Sequence, residues 1–212
     1  LFLSCKTESF YKTDRQIIRQ TGNSYNKKLI MKTSMTLFGC GPKLAVTMSL
    51  RSLRFDYYVT DFLSKYPEGT VINLGCGLDT RFYRTDNGKV IWYDIDFPEV
   101  IELRERFMEE NSRHFFIGNS ILSPELIAKV KTGGPYLILA EGVFMYLTET
   151  DVKELLHRIQ SELDFAEIVC EVTNRYWVNK MNSSWMKWKF RRQLGMTGGA
   201  VFSFGVPISR YF

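Results

Sequence analysis

The stretch Val71–Phe82, VINLGCGLDTRF, limits what this chain can fold into more than any other. Val71, Ile72 and Leu74 are strand formers and run straight into Gly75 and Gly77. Glycine at those two places lets the backbone bend sharply and lets a ligand approach with no Cβ in the way. About twenty residues on, KVIWYDID reads as a second strand that ends on Asp94 and Asp96. A glycine turn after one strand, with an acid at the tip of the next, is the layout of a nucleoside-binding crevice. The glycines leave room for the ligand, and the carboxylate accepts hydrogen bonds from ribose hydroxyls.

The spelling of the turn separates cofactors. A dinucleotide site usually needs a third glycine, as G-x-G-x-x-G, so that a helix N-terminus can close on the pyrophosphate. Here that place is Thr80, and Asp79 beside it would repel a pyrophosphate. S-adenosylmethionine (SAM) carries a ribose, an ammonium and a sulfonium, and no phosphate. Charge therefore favours SAM over NAD, and an NAD-dependent oxidoreductase is the disfavoured alternative.

Around this turn the hydrophobic pattern alternates between two periods. Phe55, Tyr58, Val59, Phe62, Leu63 and Tyr66 follow helical spacing and predict a helix over about 44–65, ended by Pro67 and Gly69. Pro98 suits a first helical turn, and the helix it opens is expected to reach about Glu110 and to bury Val100, Ile101, Leu103, Phe107 and Met108. HFFIGN reads as a third strand, and SPELIAKVK as a short helix capped by Ser123. YLILAEG, an unbroken apolar run, has the character of a central parallel strand covered on both faces. Thr148 and Asp151 spell a capping-box variant ahead of a helix whose buried face is Val152, Leu155, Leu156, Ile159 and Leu163. AEIVCEV is the fifth strand. This alternation of strand and helix is the signature of an α/β doubly wound, mostly parallel sheet.

Three segments, VINLGCGLDTRFYR, WYDIDFPEVIELR and LILAEGVFMYLTE, together resemble the leucine carboxyl methyltransferase family. The resemblance runs in order from roughly Arg51 to Gly205. It is greater to the bacterial O-methyltransferases associated with polyketide synthesis than to the enzymes that methylate the C-terminal leucine of type 2A phosphatases. It implies a Rossmann-like methyltransferase fold, SAM as cofactor and an N-terminal helical lid over residues 1–43, with the SAM-binding domain over 44–212. The cofactor-binding residues it implies are Gly75, Gly77, Asp79, Asp96, Glu141 and Arg51, with Arg54 as the alternative to Arg51. Asn119 and Ser120 stand where the phosphatase-methylating branch has an acid facing adenine, and both can still hydrogen-bond an adenine amino group. Tyr146, one turn past Glu141, is the candidate to face the acceptor.

Each of these residues also has a structural reading. Asp94 shares Asp96's side of its strand by alternation and so competes with it for the ribose. Glu141 has the alternative of pairing an arginine, and Arg81 and Arg84 are expected to pair buried acids. Cys76 has no evident base or metal partner that would make it reactive.

Composition adds mainly exclusions. The 212 residues carry a net charge of +5, which permits an anionic partner without demanding one. Lys180, Lys187, Lys189, Arg191 and Arg192 interleave with Trp185, Trp188 and Phe190, but Met181, Trp185, Trp188 and Arg192 share a helical face. The aromatics are thus expected in the core with a solvated basic side, and no nucleic-acid partner is expected. The scattered Cys5, Cys40, Cys76 and Cys170 argue against a zinc site or disulfide framework and fit a reducing, cytoplasmic location. No apolar run approaches the roughly 20 residues that span a bilayer, so no membrane partner is expected.

A helical segment over about 174–194 leaves only GMTGGAVFSFGVPISRYF, room for one short extended piece and not for the antiparallel hairpin that closes such sheets. The expectation is a C-terminally truncated domain with an open edge, able to pair with a second copy. The expected activity is SAM-dependent O-methylation of a carboxylate or hydroxyl on a small molecule. The competing function is a catalytically silent SAM-binding protein or fragment.

Overall fold

The computed structural model describes residues 42–130, 133–185 and 201–207. In chain order these form α1 (Pro42–Lys65), β1 (Thr70–Leu74), α2 (Arg81–Thr85), β2 (Ile91–Asp96), α3 (Pro98–Arg104) and β3 (His114–Gly118). There follow α4 (Leu126–Val130), β4 (Tyr136–Ala140), a 3-10 turn (Phe144–Tyr146), α5 (Glu149–Glu162), β5 (Ala166–Cys170) and α6 (Arg175–Met181). Residues 55–182 and 201–207 belong to one compact unit, which carries the whole sheet; 42–54 and 183–185 belong to the other.

All five strands are parallel, in the order β3-β2-β1-β4-β5. The chain steps outward from β1 through β2 to β3, then returns to the other side of β1 for β4 and β5. The order reverses between β1 and β4, and the crevice above that switch point is where ligands of open α/β sheets sit. The α/β doubly wound Rossmann-like expectation holds.

Period-two alternation divides the core into two layers. On one face Ile72 and Leu74 of β1, Tyr93 and Ile95 of β2 and Tyr136, Ile138 and Ala140 of β4 meet Leu126, Ile127 and Val130 of α4 and Val152, Leu155 and Ile159 of α5. On the other, Val71, Trp92, Leu137 and Leu139 meet Phe55, Val59, Phe62 and Leu63 of α1, with Phe82. Both β1 and β4 are buried along their whole length; β4 is the apolar run expected of a central parallel strand, whereas β1 also buries the polar Thr70 and Asn73. The capping box on α5 is present: Asp151 N–H donates to the Thr148 hydroxyl at 3.1 Å, and Thr148 N–H donates to the Asp151 carboxylate at 3.0 Å.

Several local expectations are corrected. The helix after Pro98 stops at Arg104, not Glu110, and Leu103 and Phe107 are exposed. The residue it buries beside Ile101 is Arg104, a charge whose partners lie on other elements. Ser123 does not cap α4, which starts at Leu126; its carbonyl instead accepts from Leu126 N–H at 3.2 Å. Tyr66 and Trp185 are exposed where core positions were expected, and Trp188 and Phe190 lie outside the described residues. So does almost all of the lid expected over residues 1–43. The extended piece near the C-terminus forms a single parallel bridge, Asn174 with Val206. Among the described residues there is no antiparallel hairpin beside β5.

Candidate cofactor site

The site is built on the turn between β1 and α2. Gly75 and Gly77 both have positive φ, +63° and +51°, the left-handed region that residues with a Cβ adopt at a cost. They need glycine for different reasons. A Cβ at Gly75 would lie 2.5 Å from Val143 Cγ2, so the β4 loop closes directly on the turn; a Cβ at Gly77 would meet nothing within 4 Å among the described residues. Gly77 thus opens onto free space at the strand tips, where a ligand can approach the backbone.

Asp96, the last residue of β2, faces this turn. Its Oδ2 accepts the Gly77 N–H at 2.8 Å, and its Oδ1 accepts the Phe97 N–H at 2.8 Å. The carboxylate is fixed in direction and half-buried, with acceptor capacity remaining, since each carboxylate has about four lone-pair sites. Asp94 does not compete with it. Its Oδ1 accepts from Asn73 Nδ2 at 2.8 Å and Trp92 Nε1 at 3.0 Å, and its Oδ2 meets His114 Nε2 at 2.6 Å and Arg104 Nη2. Asp94 is fully buried within the sheet while Asp96 stands at its rim.

Arg81, at the start of α2, collects the acids on the other side of the turn. Its Nε donates to Asp56 at 2.7 Å, Nη1 to Asp79 at 2.5 Å and Nη2 to Glu141 at 2.5 Å, while its own side chain is buried. Arg84 adds bonds to Asp56 of 2.7 and 2.9 Å and one to Asp79 of 3.4 Å. These arginines do pair acids, though the acids are half-buried and not buried, and Glu141 has the arginine partner that was its structural alternative. Burial pushes the Asp79 carboxyl up from the usual range, although Arg81 and Arg84 oppose the shift. Burial alone would weaken the Arg81 proton, but Asp79, Glu141 and Asp56 together hold it more tightly than usual. A buried guanidinium bonded to three carboxylates is a rigid support for Asp79 and Glu141.

Asn119 and Ser120 follow β3 at the same end of the sheet. Asn119 N–H donates to the Asp96 carbonyl at 2.8 Å, and the Asn119 side-chain oxygen accepts from Ser120 N–H at 2.8 Å. This ties the Asn119 backbone to the end of β2, and both side chains are half-buried. Tyr146 closes the 3-10 turn after β4; its ring lies 5.4 Å from that of Phe202, and half of it is exposed. Cys76 is buried, and burial drives its thiol pKa far up, so it is inert as a nucleophile. Arg51 and Arg54 both lie on α1 in the unit that does not carry the sheet. Among the described residues no group of acidic, histidine or cysteine side chains could hold a metal, and no helix is long and apolar enough to cross a membrane.

Sequence reasoning missed two participants. Asp56 sits on α1 with only a helical stripe around it, and nothing local links it to Arg81, 25 residues on. Arg104 reads as a solvated helix charge, and only the register of β2 against β3 reveals its partners. An internal arginine in a segment of burial periodicity was the one available signal.

A parallel sheet of this order, with a glycine turn and an acid at the switch point, defines the Rossmann-like class of which SAM-dependent methyltransferases are part. A solved structure of that class, the plantazolicin methyltransferase BamL with a triazolic desmethylPZN analog and SAH, superposes with a TM-score of 0.51. The match has 15% identity and covers 84% of this chain and 69% of that one. The family described as leucine carboxyl methyltransferase matches residues 14–115. The tetracenomycin polyketide synthesis O-methyltransferase TcmP of Streptomyces glaucescens is 30% identical over 164 residues, 75% of this chain and 56% of that protein. The S-adenosyl-L-methionine-dependent methyltransferase dpfgK of Gibberella zeae is 28% identical over 152 residues, 67% of this chain and 49% of that protein. The chain is similar to the leucine carboxyl methyltransferase family over those residues, and it spans about half the length of the curated relatives it matches.

Proposed function

We propose that this chain is a SAM-dependent methyltransferase that transfers a methyl group to a carboxylate or hydroxyl oxygen of a small, polyketide-like molecule. The observation that carries the reading is the Asp96 carboxylate bonded to Gly77 N–H at the mouth of the open glycine turn. That arrangement suits a ribose diol, and the flanking acids Asp79 and Glu141 suit a cofactor that is cationic and has no phosphate. SAM held there would supply an electrophilic methyl, the S–CH3 bond breaking as the acceptor oxygen bonds to carbon and S-adenosylhomocysteine leaves.

The residues have separable tasks. Asp96 accepts from the ribose hydroxyls, with Gly75 and Gly77 letting the backbone come close. Asn119 and Ser120 offer hydrogen bonds to the adenine edge. Glu141, held by Arg81, faces the amino-acid end. Tyr146 borders the acceptor side. Holding two reactants in line and excluding water supplies most of what such a displacement needs. A carboxylate acceptor is already ionised at neutral pH and needs no base, whereas a hydroxyl needs one. Both histidines are removed from that task, His114 by burial against Asp94 and His157 by its place on α5, so a carboxylate is favoured.

The relation to TcmP supports a polyketide-like acceptor, and the sequence gives no reason to add a nucleic-acid or membrane partner or a location other than the cytoplasm. Calorimetric titration with SAM tests the reading. Wild-type protein should bind, and Asp96→Ala should weaken binding by about 10- to 100-fold, the loss expected for hydrogen bonds to a charged acceptor. Absence of any measurable SAM affinity in the wild type overturns it.

A further inference from the structure

We infer that Arg104 is a positioning residue for the cofactor turn, an inference that rests on the SAM-site reading above. Arg104 is the last residue of α3 and is completely buried. One arm of its guanidinium, Nη2, pairs with Asp94; the other, Nη1, donates to the Gly77 carbonyl at 3.0 Å. The planar fork therefore joins the interior of the sheet to the turn that admits the ligand. Its carbon also lies 4.9 Å from the Phe116 ring centroid on β3, which limits its movement further.

Asp94 is a fixed anchor for this fork. Its other partners come from three adjacent strands: Asn73 on β1, Trp92 on β2 and His114 on β3. The turn is thereby held at three successive peptide groups. Cys76 N–H donates to the Ile95 carbonyl at 3.0 Å, Gly77 N–H donates to Asp96 Oδ2 at 2.8 Å, and the Gly77 carbonyl accepts from Arg104. Asp96 holds the peptide on one side of Gly77 and Arg104 the peptide on the other. Gly77 is at φ +51°, and a Cβ there would meet nothing within 4 Å among the described residues, so packing against them does not fix its orientation. If the carbonyl side is released, the N–H side turns with it, and the Asp96 carboxylate loses the bond that aims it at the ribose.

A purely structural ion pair is the competing explanation, and the network is poorly made for that purpose. Arg104 Nε and His114 Nδ1 are buried with no hydrogen-bond partner among the described residues. A buried ionic network with unsatisfied members is a weak stabiliser compared with an apolar core. Holding the turn accounts for the arginine better than stability does.

Arg104→Lys is the first test. An ammonium can remain paired with Asp94, but a single point charge cannot bridge Asp94 and the Gly77 carbonyl in a fixed plane. Titration of the folded variant well below its melting point should show SAM binding weakened by about tenfold, the loss of one charge-assisted hydrogen bond. Methylthioadenosine, which retains the ribose and lacks the amino-acid end, should weaken by the same factor. In an Asp96→Asn background the Arg104→Lys penalty should shrink, because the two residues hold the two peptides that flank Gly77. If Arg104→Lys does not fold, Asp94→Asn/Arg104→Met removes both buried charges together and should show the same loss.

Amide hydrogen exchange gives a readout independent of the cofactor. The Gly77 amide should exchange about tenfold faster in the variant, with β5 and the first turn of α5 unchanged. Unchanged SAM affinity and unchanged exchange at Gly77, despite a lower melting temperature, would reduce Arg104 to a structural pair. If wild-type protein binds no SAM, the functional reading fails on that count, and the hold of Arg104 on the turn is judged by exchange at Gly77 alone.

Discussion

Gly75 and Gly77 look interchangeable in the sequence GCG, yet their surroundings give them different burdens. Both sit at positive φ, but only Gly75 has a neighbour in the way, Val143 Cγ2 at 2.5 Å from a would-be Cβ. Gly77→Ala should cost about 1–2 kcal/mol, the strain of the left-handed region alone. Gly75→Ala should cost clearly more, because it adds a clash with the β4 loop, and Val143→Ala should restore part of that loss. Urea denaturation of the three variants measures this; equal costs for the two glycines would refute the packing account. Asp94 and Asp96 show the same divergence. Alternation puts them on one side of β2, but one is taken up by four partners and the other by the turn. No local rule separates two aspartates two residues apart; their depth in the sheet does.

At the scale of elements, short helices depend on what ties their ends down. The link between the α2–β2 loop and the start of β3 is Asp86, paired with Arg113 at 2.5 and 2.8 Å. The hydrogen bond from Arg113 chiefly holds the Asp86 carboxyl below its usual range, assisted by Gly88 N–H. A carboxyl whose folded pKa is lowered stabilises the fold above its unfolded value of about 3.9, and that contribution is lost as pH falls through the lower folded value. Asp86→Asn should therefore melt below wild type near neutral pH, with the gap closing as the pH drops beneath about 4. Melting curves across pH check the sign; a gap that widens in acid would contradict it. The helices α5 and α3 mark the range of what could be read ahead. The Thr148–Asp151 capping box on α5 was legible because it is local. The early end of α3 was not, because Arg104 stops facing solvent only when β2 and β3 bring Asp94 within reach.

For the whole molecule, we propose that β5 is the element with consequences beyond the chain. It stands last in the strand order and faces no further strand among the described residues. An uncovered parallel edge presents backbone donors and acceptors to any chain that can add a strand. Light scattering with size exclusion should therefore find a dimer that builds up with concentration, and a monomer throughout the range would reject the open-edge proposal. Periodicity and turn spelling in the sequence were enough to determine the α/β order, the two-faced burial of β4 and the glycine turn with an acid at the next strand tip. Those features depend on backbone conformation and on which face is apolar, and both are written within a few residues of each other. Tertiary structure alone decided that Arg81 would gather Asp56, Asp79 and Glu141, and that Arg104 would join Asp94 to Gly77. Buried charges need partners from separate elements, and which partners come within hydrogen-bond reach is fixed only once the strands take their register.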